Sequence, residues 1–152
     1  MPLYRSVNGK NVPLTAQEEA VLLAEWEANA PDELLIAKQF RSSLITSYRN
    51  KALKELTASW DGDIWDANEE TSNRIANALS MVREAKELGI PTPPAIPWRT
   101  YDNKDRTLTI AELTQMGAAV FLAQQEVWAK QAQLKNAIDA AKTEAEVNAI
   151  EW

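Results

Sequence analysis

The apolar positions of the chain follow the period of an α-helix over most of its length. Segments 16–29, 32–57, 69–88 and 110–141 carry apolar side chains every three or four residues, the spacing of one helix face. The side chains predicted to point inward are Val21, Leu22 and Trp26 in the first segment, Ala37, Leu44, Ile45, Tyr48, Ala52 and Leu56 in the second, and Ile75, Leu79, Val82 and Leu88 in the third.

Turn residues separate short β-prone runs at three places. Asn8-Gly9 and Asp61-Gly62 are residue pairs that two-residue hairpin turns favour, and a third turn, Asp102-Asn103-Lys104-Asp105, follows Trp98. The predicted fold class is therefore mainly α, with four to five helices and two or three short β-hairpins.

Helix boundaries are marked by capping signals. A Thr followed three residues later by a Glu can satisfy two free backbone N–H groups at a helix start, and Gly favours a helix end. The predicted starts are Thr15 with Glu18, Asp66 with Glu69 or else Asn68 alone, Thr109 with Glu112, and Thr143 with Glu146 before a last short helix; the predicted end of the third helix is Gly89.

Proline marks the internal boundaries. Pro31 separates the first two predicted helices. Segment 90–97 contains four prolines in eight residues, which predicts an extended, stiff spacer. The predicted organisation is an N-terminal hairpin and helical part (1–89), the spacer (90–97), and a hairpin with a long C-terminal helix (98–152).

The long C-terminal helix carries a seven-residue repeat. A repeat of this kind favours packing against another helix, either one from a second copy of the chain or one within the same chain. The partner-binding candidates are Leu113, Val120, Val127 and Leu134, followed by Ala141 and flanked by Gly117, Gln124, Gln131 and Ile138, together with Trp152 near the end of the chain.

Composition excludes several kinds of chemistry. The 152 residues include no cysteine and no histidine, so thiol nucleophiles, thiolate metal sites and imidazole bases are excluded. The formal net charge of −6 argues against general binding to nucleic acid or anionic membranes. No transmembrane run or cofactor motif is found, which predicts synthesis in a cytoplasm.

The second helix is basic, with Lys38, Arg41, Arg49, Lys51 and Lys54. A nucleic-acid surface is one interpretation. The other is a solvated face, or pairing with acidic residues of the first helix, and the lack of interleaved aromatic residues or a Gly-rich loop favours it.

The stretch "WDGDIWDANEETSNRI" concentrates acids beside two tryptophans. It does not fit a calcium-binding EF-hand loop, because the required Gly and Glu fall on Thr71 and Asn77 when the loop starts at Asp66. Another metal site, or a catalytic carboxylate pair walled by Trp60 and Trp65, is an alternative. The structural interpretation is a hairpin turned by Asp61-Gly62 that leads into a capped helix.

Two segments resemble a domain family found in tailed-phage proteins, and the resemblance covers roughly residues 45–152. They are the stretch above and "IPWRTYDNKDRTLTIAELTQMG". The residues that carry it are Asp61-Gly62, Asp66, Ser72 and Arg74 in the first and Trp98, Asp102-Asn103, Leu108 and Thr109 in the second.

The resemblance implies a phage tail context and no catalytic residues. We expect a non-enzymatic tail protein that stays in the virion, binds tail-fibre or baseplate proteins and self-associates, as a trimer by analogy with fibres. The alternatives are a tail-fibre assembly chaperone that leaves the finished particle, and a carboxylate-dependent glycan hydrolase that would use Asp61, Asp63 or Asp66.

Overall fold

The computed structural model describes residues 3–7, 9–28 and 32–152 and confirms a mainly α fold with minor β. Five helices and three antiparallel two-stranded hairpins lie within these residues. In chain order they are β1 (Tyr4–Val7), β2 (Lys10–Pro13), α1 (Ala16–Ala28), α2 (Glu33–Lys54), β3 (Thr57–Trp60), β4 (Asp63–Asp66), α3 (Glu69–Glu87), β5 (Ala95–Arg99), β6 (Asp105–Thr109), α4 (Ile110–Ala140) and α5 (Glu144–Asn148).

The chain forms two compact units, Met1–Ile36 and Ala37–Trp152, so the division falls after the first turn of α2. The sequence predicted a division at segment 90–97, and the two units do not divide there. Trp98 and Leu108 follow that segment, yet they are buried in the same core as Trp65 and Ile75, which precede it. The Pro-rich segment therefore joins two parts of one core, and its last residues belong to β5.

The N-terminal unit is a hairpin followed by a capped helix. Gly9 has a φ of 77°, as a tight turn requires, whereas Asn8 and Pro31 lie outside the described residues. Thr15 N donates to Glu18 Oε2 at 2.9 Å and Glu18 N donates to Thr15 Oγ1 at 3.3 Å, which confirms the first capping box.

The predicted burial of two residues of α1 is wrong. Val21 and Trp26 are 57% and 56% exposed. The physical reason is the size of the unit, because strands of four residues offer too little surface to cover a 13-residue helix.

The core of the C-terminal unit lies where α4 packs against α3, β3 and β6. Its buried members come from every one of these elements and from β4 and β5. They are Ala58, Trp65, Ala67, Ile75, Trp98, Leu108, Leu113, Met116 and Val120. Trp60 packs at the edge of this core, with its ring centroid 6.1 Å from that of Trp65.

Helix α2 contacts the distant end of the chain through its basic side chains. Lys38 Nζ donates to the carbonyl oxygen of Asp139 at 2.8 Å, and Arg41 Nη2 donates to that of Asn148 at 2.9 Å. Both carbonyl groups lie at the C-terminal ends of helices, where a cation is favoured. These contacts give the basic face a structural role within the unit, which the sequence did not reveal.

Two details of α2 differ from expectation. It ends at Lys54, because Thr57 begins strand β3, and Tyr48 is 44% exposed although Ile45 beside it is fully buried. The apolar spacing predicts which face of the helix is apolar. It does not predict which residues at the edges of that face are covered by a neighbouring element.

The hairpin β3–β4 leads directly into α3. Asp61 and Gly62 have φ values of 50° and 78°, which confirms a turn with two left-handed residues. Asn68 is the N-cap, since its Oδ1 accepts a hydrogen bond from Thr71 N at 2.9 Å. Asp66 is thus the last residue of β4 and not the cap, so of the two predicted caps Asn68 is confirmed.

Helix α3 ends as the sequence predicts. Gly89 has a φ of 70°, Ile90 N donates to Ala85 O at 2.8 Å, and Gly89 N donates to Lys86 O at 3.2 Å. Leu88, predicted to be buried, is 75% exposed because it lies in this closing turn, beyond the last residue of the helix.

The hairpin β5–β6 is closed by a five-residue loop. Thr100 Oγ1 accepts a hydrogen bond from Lys104 N at 3.0 Å, and Asn103 takes a φ of 64°. Next, Thr109 begins α4 with the predicted capping box, and Thr143 begins α5 with another. Asp102, Asn103 and Thr109 therefore have the structural roles that the sequence assigned to them.

The capping box of α4 makes an acid-dependent contribution to stability. Thr109 Oγ1 and Thr109 N both donate to Glu112 Oε2 at 2.7 Å, and these two bonds hold the pKa of Glu112 below its usual value. A carboxyl whose pKa is lowered by folding stabilises the protein above its unfolded pKa, and this contribution is lost as the pH falls through the folded pKa.

Glu112→Gln is therefore expected to reduce the acid sensitivity of the melting temperature. The amide keeps an acceptor for Thr109 but does not titrate, so the fall in Tm between pH 7 and acid pH becomes smaller. Glu126→Gln, the same change at an exposed position of α4, is the matched control in the thermal melts. An equal effect of the two substitutions would contradict the prediction.

Candidate functional site

The predicted partner-binding repeat on α4 is largely internal. Leu113 and Val120 are 0% and 1% exposed within the core, whereas Val127 and Leu134 are half-buried. Leu113 and Val120 are therefore covered by the chain itself, which is the intramolecular alternative for this face.

The residues flanking the repeat make specific contacts with α2 and α3. Gln124 Nε2 donates to Ala67 O at 2.7 Å, and Gln131 Oε1 accepts from Arg49 Nη1 at 3.1 Å. A Cβ atom on Gly117 would stand 3.0 Å from Ile75 Cγ2, so the missing side chain allows the close approach of α3. The glutamines thus serve polar contacts inside the unit.

Trp152 packs back onto α4. The Nζ of Lys130 lies 4.9 Å from the centroid of the Trp152 ring, and the residue is half-buried. This contact leaves only part of the ring available to a partner.

A second repeat of α4 faces solvent. It has alternating spacings of three and four residues, and all eight members are uncharged and exposed. We call it the outer stripe; it consists of Ala111, Gln115, Ala118, Leu122, Gln125, Ala129, Ala132 and Asn136.

The part of the outer stripe from Gln115 to Gln125 lies in an uncharged run of the helix. No residue between Glu112 and Glu126 is charged, in a chain with 25% charged residues. Leu122 and the adjacent Phe121 are 61% and 57% exposed. An uncharged exposed face of this length is typical of a surface that another protein covers.

The aspartates of the acidic stretch are held by basic residues of the next hairpin. Arg106 on β6 donates to Asp61 Oδ2 at 2.8 Å through Nη2 and to Asp63 Oδ2 through Nη1. Lys104 approaches Asp102 at 2.6 Å and Asp63 at 4.0 Å. The ion pairs that reach Asp61 and Asp63, with the bond from Tyr101 N to Ile64 O at 2.9 Å, tie the two hairpins together.

The ion pairs give the carboxylates of Asp61 and Asp63 a structural role. The carboxylates of Asp61 and Asp63 raise the pKa of Arg106, and the Asp63 side chain is only 12% exposed. Among the described residues, no three Asp or Glu side chains are grouped so as to hold a metal ion. The sequence named Lys104 only as part of a turn and did not single out Arg106; the only signal for these ion pairs is opposite charge on two consecutive hairpins.

Two residues of the two segments quoted from the sequence meet in space. The guanidinium carbon of Arg74 lies 4.6 Å from the centroid of the Trp98 ring, and Trp98 is 8% exposed. A third such residue, Ser72, accepts a hydrogen bond from Gln124 Nε2 at 2.8 Å. These positions of the two quoted segments thus join α3 to β5 and α4.

Within residues 3–7, 9–28 and 32–152, no helix is long and apolar enough to cross a bilayer. A comparison with curated proteins and one with solved structures each return no match. A family model, "Domain of unknown function (DUF4376)", matches residues 36–151, a range that differs by one residue at each end from the C-terminal unit, Ala37–Trp152. The chain therefore belongs to the DUF4376 family.

Proposed function

We propose that this protein is a non-enzymatic component of a bacteriophage tail, an accessory or connecting piece of the fibre or baseplate that self-associates through α4. The observation that carries the proposal is the outer stripe, an uncharged exposed face on a 31-residue helix. The phage context comes from the resemblance of the segments around Trp60 and Trp98 to domains of tailed-phage proteins.

A second copy of the chain is the partner that suits the outer stripe. Two chains of net charge −6 repel one another, so copies associate best through a face without charges. Exposed Leu122 near the middle of the stripe supplies an apolar contact, and the alanines allow two helix backbones to approach closely.

The engagement of the acidic stretch supports a non-enzymatic role. Asp61 and Asp63 are bound by Arg106, so a hydrolase that uses this pair would first have to break these ion pairs. The proposal therefore assigns the tail role without a catalytic function.

The assembly chaperone is the second candidate, and the N-terminal unit favours it. Tyr4, Leu23 and Trp26 are each about half exposed there, and a cleft of about 530 Å³ lies between the hairpin and α1, lined in part by Leu14 and Leu22. Exposed apolar groups beside a cleft suit transient binding of an unfinished fibre.

Leu122→Lys is expected to dissociate the assembly into single chains. The parent chain should show a multiple of its 17.0 kDa mass in light scattering, and a charge in the stripe should restore 17.0 kDa with the helical content unchanged. Met81→Lys, at a 71% exposed position of α3, should leave the mass of the assembly unchanged. A parent chain that is monomeric would contradict self-association.

Quantitative mass spectrometry of purified infectious particles tests the tail role itself. A copy number in multiples of three or six supports a built-in tail component. Absence from particles, with abundance in the infected-cell lysate, supports the chaperone. Absence from both, in a phage that encodes the chain, would overturn the phage proposal.

A further inference from the structure

A groove opens where three helices of the C-terminal unit meet. The end of α2, the start of α3 and the middle of α4 enclose about 750 Å³, within the range of about 300–1,000 Å³ of ligand sites. We call it the three-helix groove. Its lining includes four carboxamides, one hydroxyl and one exposed aromatic ring: Asn50, Asn68, Asn73, Gln124, Ser72 and Trp128.

The aromatic ring of the groove is held in place from one side. The guanidinium carbon of Arg49 lies 4.3 Å from the centroid of the Trp128 ring. Arg49 is itself fixed, since its Nη1 donates to Gln131 Oε1 at 3.1 Å and its Nε donates to Asn50 Oδ1 at 3.0 Å. Trp128 is 44% exposed, so a fixed indole surface remains open to a ligand.

Two of the carboxamides, Gln124 and Asn68, are also held, each through one end. Gln124 Nε2 donates to Ala67 O and Ser72 Oγ, and Asn68 Oδ1 accepts from Thr71 N. Because a carboxamide both donates and accepts, these bonds fix the side chain and leave its other end for a ligand. The groove thus combines preorganised donors and acceptors with a flat apolar surface.

We propose that the three-helix groove binds a neutral saccharide. A sugar ring presents C–H groups on its faces and hydroxyl groups around its edge, so its face can cover Trp128 while its hydroxyls bond the carboxamides. Glu69 and Glu70 outnumber Lys54 among the charged lining residues, which disfavours an anionic ligand. The inference does not depend on self-association, because none of its residues belongs to the outer stripe.

A glycan array probed with the fluorescently labelled full chain tests the proposal. We expect retention of one or more neutral glycans, and loss of at least about tenfold in affinity with Trp128→Ala, because the ring supplies the stacking surface. Asn73→Ala should weaken binding several-fold without changing the fold. Tyr101→Ala, another exposed aromatic residue of the same unit, is the matched control and should bind as the parent chain does.

Three results on the array would overturn the proposal. In the first, the folded parent chain retains no neutral glycan. In the second, Trp128→Ala does not weaken retention of the neutral glycan. In the third, the chain preferentially retains sialylated or sulfated glycans. Calorimetry with the retained neutral glycan, followed by analysis of the sugar for cleavage, separates binding from hydrolysis. Retained glycan recovered intact supports a binding groove, and recovered cleavage products would overturn it.

Discussion

A lysine in place of Val120 is expected to unfold the C-terminal unit. Val120 is 1% exposed in the core beside Leu113 and Met116, and an ammonium group there would lie among apolar side chains and out of contact with water. Such a substitution costs at least about 4 kcal/mol, a large part of the 5–15 kcal/mol that stabilises a typical domain. Urea unfolding followed by circular dichroism measures the loss.

Val127→Lys is the matched control for this prediction. Val127 lies one repeat further along the same face but is only half-buried, so a lysine can extend its ammonium group to water at a cost of about 1 kcal/mol. If both variants remained as stable as the parent chain and only the oligomer mass changed, the repeat of Val120 would be an intermolecular seam.

The sequence predicts the repeat on α4 but not what covers it. A seven-residue spacing indicates that one helix face is apolar. The same spacing occurs in a helix that packs in the core of one chain and in a helix that packs between chains. The choice depends on α3 and β3, which pack on Leu113 and Val120 from elsewhere in the chain. The outer stripe was missed because alanine and glutamine are not apolar enough to mark a face by periodicity.

Local signals were the most reliable part of the sequence analysis. The turn at Asp61-Gly62, the helix end at Gly89 and the cap at Thr109 are all confirmed, because each depends on residues within five positions. The predictions of burial were less reliable. Trp26 and Leu88 are exposed, because burial depends on which element, distant in the sequence, packs on a residue. The candidate groove around Trp128 combines three helices, so no single segment indicated it.

Arg106→Met is expected to lower the free energy of unfolding of the C-terminal unit. The methionine keeps much of the side-chain length but leaves the carboxylates of Asp61 and Asp63 without the guanidinium that binds both. The loss comes mainly from Asp63, whose side chain is 12% exposed, because solvent screens the more exposed Asp61. Urea unfolding of the single variant gives the value.

A double-mutant cycle tests the cause of that loss. Asp63→Asn removes the carboxylate that is 12% exposed, so Arg106→Met combined with Asp63→Asn should be more stable than Arg106→Met alone. Additive losses would mean that Arg106 acts through its packing and not through the ion pair. A positive coupling would explain why acids are concentrated beside Trp60 and Trp65: they fix the hairpin β3–β4 to the hairpin β5–β6, and with it the start of α4, which carries the outer stripe.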